Sequence, residues 1–199
     1  MNLFISLYDE KDPARLAELS WCLHRNSNLF DTIYVLNERK EWIMQEGLEC
    51  WLGQKFIKTR SHYQDFANYI NECTEQNDIN IISNSDIYFD ETLKEAENIK
   101  EGECYALCRQ GMLENYWAGS QDTWIFRGKI RKGNYDFPIG YPGCDNKIAF
   151  ELDKAGYKVT NPMHSIKTHH NHKNETWYEG QNDKYRLPKP YKLVPPCSL

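Results

Sequence analysis

Short, almost unbroken apolar runs punctuate the first half of the chain, and the segments between them repeat their apolar residues every three or four positions. The runs at 2–7 (NLFISL), 32–36 (TIYVL) and 79–83 (INIIS) are apolar on both faces, as strands buried inside a parallel sheet are. The segment 55–58 (KFIK) offers a further short strand. After the first run, Asp12-Pro13 supplies an N-cap and a first helical position, and Leu16, Leu19 and Leu23 recur at helical spacing. Ser61 with Gln64 makes a capping-box pattern, and Tyr63, Phe66, Ala67, Ile70 and Cys73 give the next helix its apolar stripe. This βαβαβ order implies a parallel sheet with right-handed crossovers.

The second half changes character. The segments 104–108 (CYALC) and 123–127 (TWIFR) read as strands with no long helix between them. A stretch rich in glycine and proline, 133–143, leads to Asp145, read as the N-cap of a helix that carries Ile148, Leu152 and Ala155 and stops at Gly156. A late strand at 157–162 (YKVTNP) precedes 165–172 (SIKTHHNH). The end, RLPKPYKLVPP, holds too many prolines for a helix or central strand and reads as a tail wrapping the surface. The fold class is α/β: one domain over residues 1–175, with a mixed, mostly parallel, Rossmann-like sheet flanked by helices. Its halves are 1–90 and 91–175, and a proline-rich tail covers 176–199.

At 199 residues one substantial domain is the economical reading, and the net charge of −5 argues against a general nucleic-acid binder. No apolar run approaches membrane-spanning length, and the opening MNLFISLYDE is too short for a signal peptide. Seven scattered cysteines without a CxxC pair favour reduced thiols and a cytoplasmic location. In such a chain the sequon Asn174-Glu175-Thr176 carries no weight.

Ligands of parallel α/β sheets bind beyond the carboxyl ends of the strands. Polar groups fall there after three runs: Ser6 and Tyr8, Asn37, and Asn84-Ser85-Asp86. There is no GxGxxG and no GxxxxGK[ST], so neither a dinucleotide fingerprint nor a P-loop is expected. Asp86 and Asp90 are too far apart to share an ion on an extended chain that rises roughly 3.3 Å per residue. Asp86 is therefore the candidate metal ligand, and Asp90 the cap of the helix begun by Leu93 and Ala96.

Four of the six histidines lie at 164, 169, 170 and 172, and His170 and His172 face the same way on a strand. A carboxylate with imidazole and phosphate oxygens suits Mn²⁺ or Mg²⁺, whereas several imidazoles alone suit Zn²⁺. Asp145, at a helix N-terminus, and Asp122, just before a strand, are candidate catalytic carboxylates. Trp117, Gln121, Asp122 and Trp124 together suggest an acceptor site, since sugar faces stack on aromatic rings beside polar groups.

The segments NSDIYFD, SQDTWIF, GCDNKIAFEL and IKTHHNH, in this order over most of residues 2–172, resemble those of small nucleotide-sugar glycosyltransferases of the GT-A fold, of the compact bacterial and large-virus type. The resemblance implies a D-x-D signature at the end of the fourth strand that positions a divalent ion and the donor ribose. Here it reads Asn84-Ser85-Asp86, with Asp86 at the acid expected to touch the metal. It further implies that His170 or His172 completes the metal shell and that Asp145 is the base of an inverting enzyme. Ser6, Tyr8, Asn37, Arg60 and Asp65 match the positions that hold nucleobase, ribose and diphosphate. The implied cofactor is Mn²⁺ or Mg²⁺, the donor a nucleotide-diphosphate sugar with UDP favoured, and the acceptor a saccharide or glycan hydroxyl. Arg60 or Lys173 would assist the departing phosphate.

Two rivals stand beside this reading. One is a sugar- or nucleotide-binding module without catalysis, given the amide at position 84. The other is a zinc-dependent hydrolase built on His164–His172, against which the absence of HExxH counts. The tail also admits a role as one module of a larger glycan-assembly enzyme.

Overall fold

The structure is a computed structural model and describes residues 1–39, 41, 43, 46–172 and 185–199. The sequon at 174–176, Lys173 and the first part of the tail lie outside the described residues.

Seven strands form one mixed sheet in the order β3-β2-β1-β4-β7-β6-β8: β1 Asn2–Leu7, β2 Thr32–Asn37, β3 Trp51–Phe56, β4 Ile79–Ser83, β6 Glu103–Leu107, β7 Thr123–Arg127 and β8 Lys158–Thr160. β1 pairs in parallel with both β2 and β4, β2 with β3, and β6 with β8. β7 runs antiparallel to its neighbours β4 and β6 and is the one reversed strand. A separate two-stranded sheet joins β5, Ile87–Phe89, to β9, Thr168–His170, in antiparallel register. The chain is thus a mixed α/β, Rossmann-like domain.

Among the described residues three α-helices flank the sheet: α1 Pro13–Ser27, α2 Tyr63–Cys73 and α3 Cys144–Lys154. Alternate side chains of β1 point to opposite faces. Leu3, Ile5 and Leu7 pack with Leu19 and Leu23 of α1, while Phe4 packs with Phe66 and Ile70 of α2 and Ile148 and Leu152 of α3. Each such fully buried apolar side chain contributes about 1.5–3 kcal/mol relative to exposure.

Several boundaries differ from the sequence reading. The third strand starts at Trp51, because the exposed edge position tolerates the polar pattern WLGQKF. α2 is capped by His62, whose backbone N–H is accepted by Asp65 Oδ2 at 2.8 Å, so the box sits one residue later than Ser61-Gln64. The cap of α3 is Gly143, at φ 83°, and Asp145 lies inside the first turn. A side chain at 143 would meet the Tyr191 hydroxyl at 2.5 Å as well as the unfavourable φ, and only glycine avoids both. The helix after Asp90 is a 3₁₀ helix, Glu91–Asn98, with Asp90 as its cap.

The described tail is tied down by backbone bonds: Leu187 N–H to Pro142 O, Lys192 to Asn146, Val194 to Ala118 and Cys197 to Asn161. It therefore packs across the start of α3 and the end of β8. Among the described residues no helix is long and apolar enough to cross a membrane.

The strand order reverses at β1, which has β2 on one side and β4 on the other. Such a switch point opens a crevice outside the carboxyl ends of the two strands, where α/β sheets bind ligands.

Candidate functional site

β4 delivers Ser83 to that crevice, and the chain then turns sharply. The Asn84 N–H donates to Asp122 O at 3.0 Å and the Ile87 N–H to Asn84 O at 3.2 Å. β5 follows and pairs with β9, Ile87 opposite His170. The Asn171 N–H closes the end of this ribbon on Asp86 O at 2.9 Å. Asn26, buried on α1, clamps the ribbon from the helix side: its Nδ2 donates to Ile87 O at 2.9 Å and its Oδ1 accepts from the Phe89 N–H at 3.2 Å.

Asp86 is held there by two side chains. Oδ2 lies 2.9 Å from His170 Nε2 and accepts a hydrogen bond from Arg15 Nη2. Arg15 also donates to Glu18 Oε2 at 2.9 Å and to Asn171 O at 3.3 Å. Burial by itself would raise the Asp86 carboxyl. The hydrogen bond and charge of His170, followed by those of Arg15, outweigh it and hold the carboxyl at about 2.

Asp86, His170 and His172 each offer a ligand atom within 4.8 Å of the others, the one such trio among the described residues. Burial lowers the affinity of His172 for a proton, and the charges of Arg15 and His170 act the same way. The neutral imidazole that results is the form that ligates metals. One carboxylate and two imidazoles fit Mn²⁺, and Mg²⁺ less well because it prefers oxygen. The structure thus brings Asp86, His170 and His172 together. His169 instead stacks on Tyr88 and contacts Asp90 Oδ2 at 2.8 Å, and His164 lies against Trp117.

The trio opens on a cleft of about 570 Å³, whose wall includes Ser6, Tyr8, Arg60, Asn84 and Ser85. Arg60 lies over the Tyr8 ring at 5.4 Å and donates from Nε to Ile139 O at 3.1 Å. Glu10, Asp12 and Glu18 stand in the same wall, so the cleft carries charges of both signs. Two residues expected here lie elsewhere. Asn37 is fully buried, donates to Glu41 O and Gln54 Oε1, and accepts from the Arg39 N–H, which makes it a turn residue at the end of β2. Asp65 is occupied in capping α2.

The residues expected to hold an acceptor lie as follows. Trp124 is wholly buried in β7, edge-on to Tyr63 with centroids 5.4 Å apart. Gln121 is buried and donates to Trp117 O at 3.0 Å. Trp117 is half-buried, with its indole N–H on Met112 O at 2.8 Å. Asp122 is buried and grips Arg109 Nη1 with both oxygens, at 3.1 and 3.0 Å, while Oδ1 also accepts from Asn84 Nδ2 at 2.9 Å. Trp124 has no free face for a sugar, because β7 is interior to the sheet.

Asp145 stands in the first turn of α3, half-buried, outside the wall of the 570 Å³ cleft, and accepts from the Cys144 thiol at 3.1 Å. Burial, then the charge of Asp122, push its carboxyl up to about 7. Burial likewise raises Asp122, which Arg109 partly offsets.

Sequence reasoning missed Arg15, Asn26 and Arg109. Arg15 did carry a signal: a cation in the first turn of a helix opposes the macrodipole and calls for a local anion. Asn26 and Arg109 find their partners through tertiary approach and carried none.

No protein-family model matches the sequence, and no curated protein matches it. Among solved structures, the chain is similar to the apo-form glycosyltransferase GlyE of Streptococcus pneumoniae TIGR4, with 16% identity and a TM-score of 0.37 over 64% of this chain and 33% of that one. The chain therefore spans about a third of that protein's length. It is also similar to a putative glucose-1-phosphate thymidylyltransferase from Bacillus anthracis in complex with a sucrose, with 10% identity and a TM-score of 0.46 over 84% and 87%. At this distance the chemistry of the site has to speak for function.

Proposed function

We propose that this chain is a glycosyltransferase of the GT-A type that moves a sugar from a nucleotide-diphosphate sugar, a UDP-sugar first, to a hydroxyl of a saccharide or glycan. The observation that carries the reading is the convergence of Asp86, His170 and His172 at a cleft beyond the carboxyl ends of β1 and β4. A carboxylate held ionised at about 2 beside two imidazoles is suited to one divalent cation.

Mn²⁺, or Mg²⁺ in its place, would supply positive charge against the departing diphosphate. Asp86, His170 and His172 would hold it. Arg15 and Arg60, both in the cleft wall, add fixed positive charge for the phosphates, and Tyr8 offers a ring beside them. Asp145 is the base in this reading. A carboxyl poised near 7 takes a proton from an attacking hydroxyl at neutral pH, which inverts the anomeric centre. The acceptor must then approach from the α3 side, since Asp145 is not in the donor wall. The seven cysteines form no disulfide, which suits a reducing, cytoplasmic compartment.

Thermal-shift measurements with UDP and UDP-sugars, each with and without MnCl₂, test the proposal. A ligand that binds only the native state raises the melting temperature. The expected result is a rise with UDP plus Mn²⁺ that disappears in Asp86→Ala. An equal rise in that variant would remove the metal assignment, and no rise with any nucleotide would remove the reading.

A further inference from the structure

The amide at position 84 has a structural cause one layer away from the cleft. Asn84 Nδ2 donates to Asp122 Oδ1 at 2.9 Å, and the Asn84 backbone N–H donates to the Asp122 carbonyl at 3.0 Å. Asp122 is buried and takes Arg109 Nη1 on both of its oxygens. Asp122 in turn is fixed by its own N–H, which donates to Leu107 O on β6 at 2.9 Å. The turn that presents Ser85 and Asp86 is thus moored to the neighbouring ends of β6 and β7 by one continuous chain, Arg109 to Asp122 to Asn84.

Position 84 has to donate in this arrangement. A carboxylate there would set its oxygens against those of Asp122 in a poorly solvated place, where like charges repel strongly and neither can be satisfied. Arg109 carries one positive charge, which Asp122 already engages with both of its oxygens, so it could not neutralise two carboxylates.

We infer that Asn84, Asp122 and Arg109 form a positioning relay for Asp86, so that position 84 is an amide because its neighbour is a carboxylate, and its side chain is a mooring rather than a contact to a cation or donor. The inference rests on the metal reading of Asp86 for its consequence and on geometry alone for its substance. It also reassigns Asp122: the carboxylate acts on the site through Asn84.

The inference makes an unusual demand on mutagenesis. Supplying the acid that a D-x-D signature would have, by Asn84→Asp, should weaken the site instead of strengthening it. Three variants of the full chain decide this: Asn84→Asp, Asp122→Asn, and the two together, which exchanges amide and acid and restores a donor–acceptor pair. Two readouts are used: hydrogen exchange of the backbone amides at 84–88, and calorimetric titration with MnCl₂. Each single variant should speed exchange at 84–88 and weaken Mn²⁺ binding about tenfold, the size expected for one lost buried hydrogen bond. The exchanged pair should recover most of both.

Mn²⁺ binding in Asn84→Asp as tight as in the parent would overturn the inference, as would an exchanged pair no better than its components. A parent that takes up no Mn²⁺ would sink the metal reading only. The exchange data would still decide whether the relay orders the turn, and recovery in the double variant separates that from general loss of stability.

Discussion

Arg15→Met keeps the aliphatic stem of the side chain and deletes the guanidinium that binds Asp86, Glu18 and Asn171 O together. The Arg15 and Asp86 side chains each retain 14% exposure, so solvent cannot replace the lost partner cheaply. A carboxyl held at about 2 against an ordinary 3.8 contributes about 2–3 kcal/mol at neutral pH, at about 1.4 kcal/mol per tenfold in proton affinity. His170 supplies the larger share of that, and Arg15 the remainder. Adding a share for the Glu18 contact, the variant should lose about 2 kcal/mol, which for a domain of this size is a fall of about 4–8 °C in Tm.

The sign of the pH dependence follows. A depressed carboxyl stabilises the fold above its unfolded value and loses that stabilisation as pH falls through the folded one. The gap between parent and variant should therefore be full at pH 7 and shrink steadily from pH 4 downwards. Calorimetric melts over that range, with and without MnCl₂, are the assay. Mn²⁺ should stabilise the variant more than the parent, because the cation no longer competes with a guanidinium for Asp86. Equal Tm values at pH 7, a gap that stays constant down to pH 3, or a smaller Mn²⁺ effect in the variant would each refute the reasoning.

Further outcomes are expected elsewhere. Asp145→Asn should raise Tm at pH 8 and leave it unchanged near pH 4, because a carboxyl whose folded value is lifted to about 7 weakens the fold as pH rises past the unfolded value. Parallel melts at the two pH values check this. In the same variant sugar transfer should be lost while UDP binding persists; in the parent, transfer should rise with pH through about 7. Asn26→Ala should cost about 2–4 kcal/mol, since Ile87 O and the Phe89 N–H are both left unpaired, and hydrogen exchange should show the loss concentrated in β5 and β9. A uniform change across the sheet would contradict the clamp.

The elements legible in the sequence are those whose pattern is local. β1, β2 and β4 announce themselves because strands buried on both faces are apolar at every position, and Asp12-Pro13 is a self-contained start signal for α1. β3 was half legible, because an edge strand needs apolar residues on one face only. The ribbon of β5 and β9 was hidden. Three residues each, paired across the length of the second half, leave no periodicity to read.

The site divides in the same way. Asp86 followed from its place at the end of a buried run, and the strand parity of His170 and His172 offered a shared direction. Trp124 misled because an aromatic next to a carboxylate looks alike whether it lines a pocket or fills a core; only the pairing of β7 between β4 and β6 decides it. Asn37 and Asp65 misled because a polar residue at a strand end or helix start serves equally well as a turn former, a cap or a ligand. Arg15 and Arg109 act 71 and 13 positions from the acids they pair with, and no sequence window joins the first of these.

The ribbon of β5 and β9 has a consequence in time. It brings Asp86 to His170 across 84 positions of chain. During synthesis β1 to β4 can pair and bury their shared faces while the histidines are still unmade, so the sheet precedes the site. Closing so long a loop is entropically slow, and its reward comes only when the last short strand docks. A nascent or clipped chain ending before residue 168 would keep the seven-stranded sheet, leave β5 without its partner β9, and have one carboxylate where three ligand groups meet in the whole protein. The order in which the chain is made thus keeps the trio of Asp86, His170 and His172 out of every early intermediate.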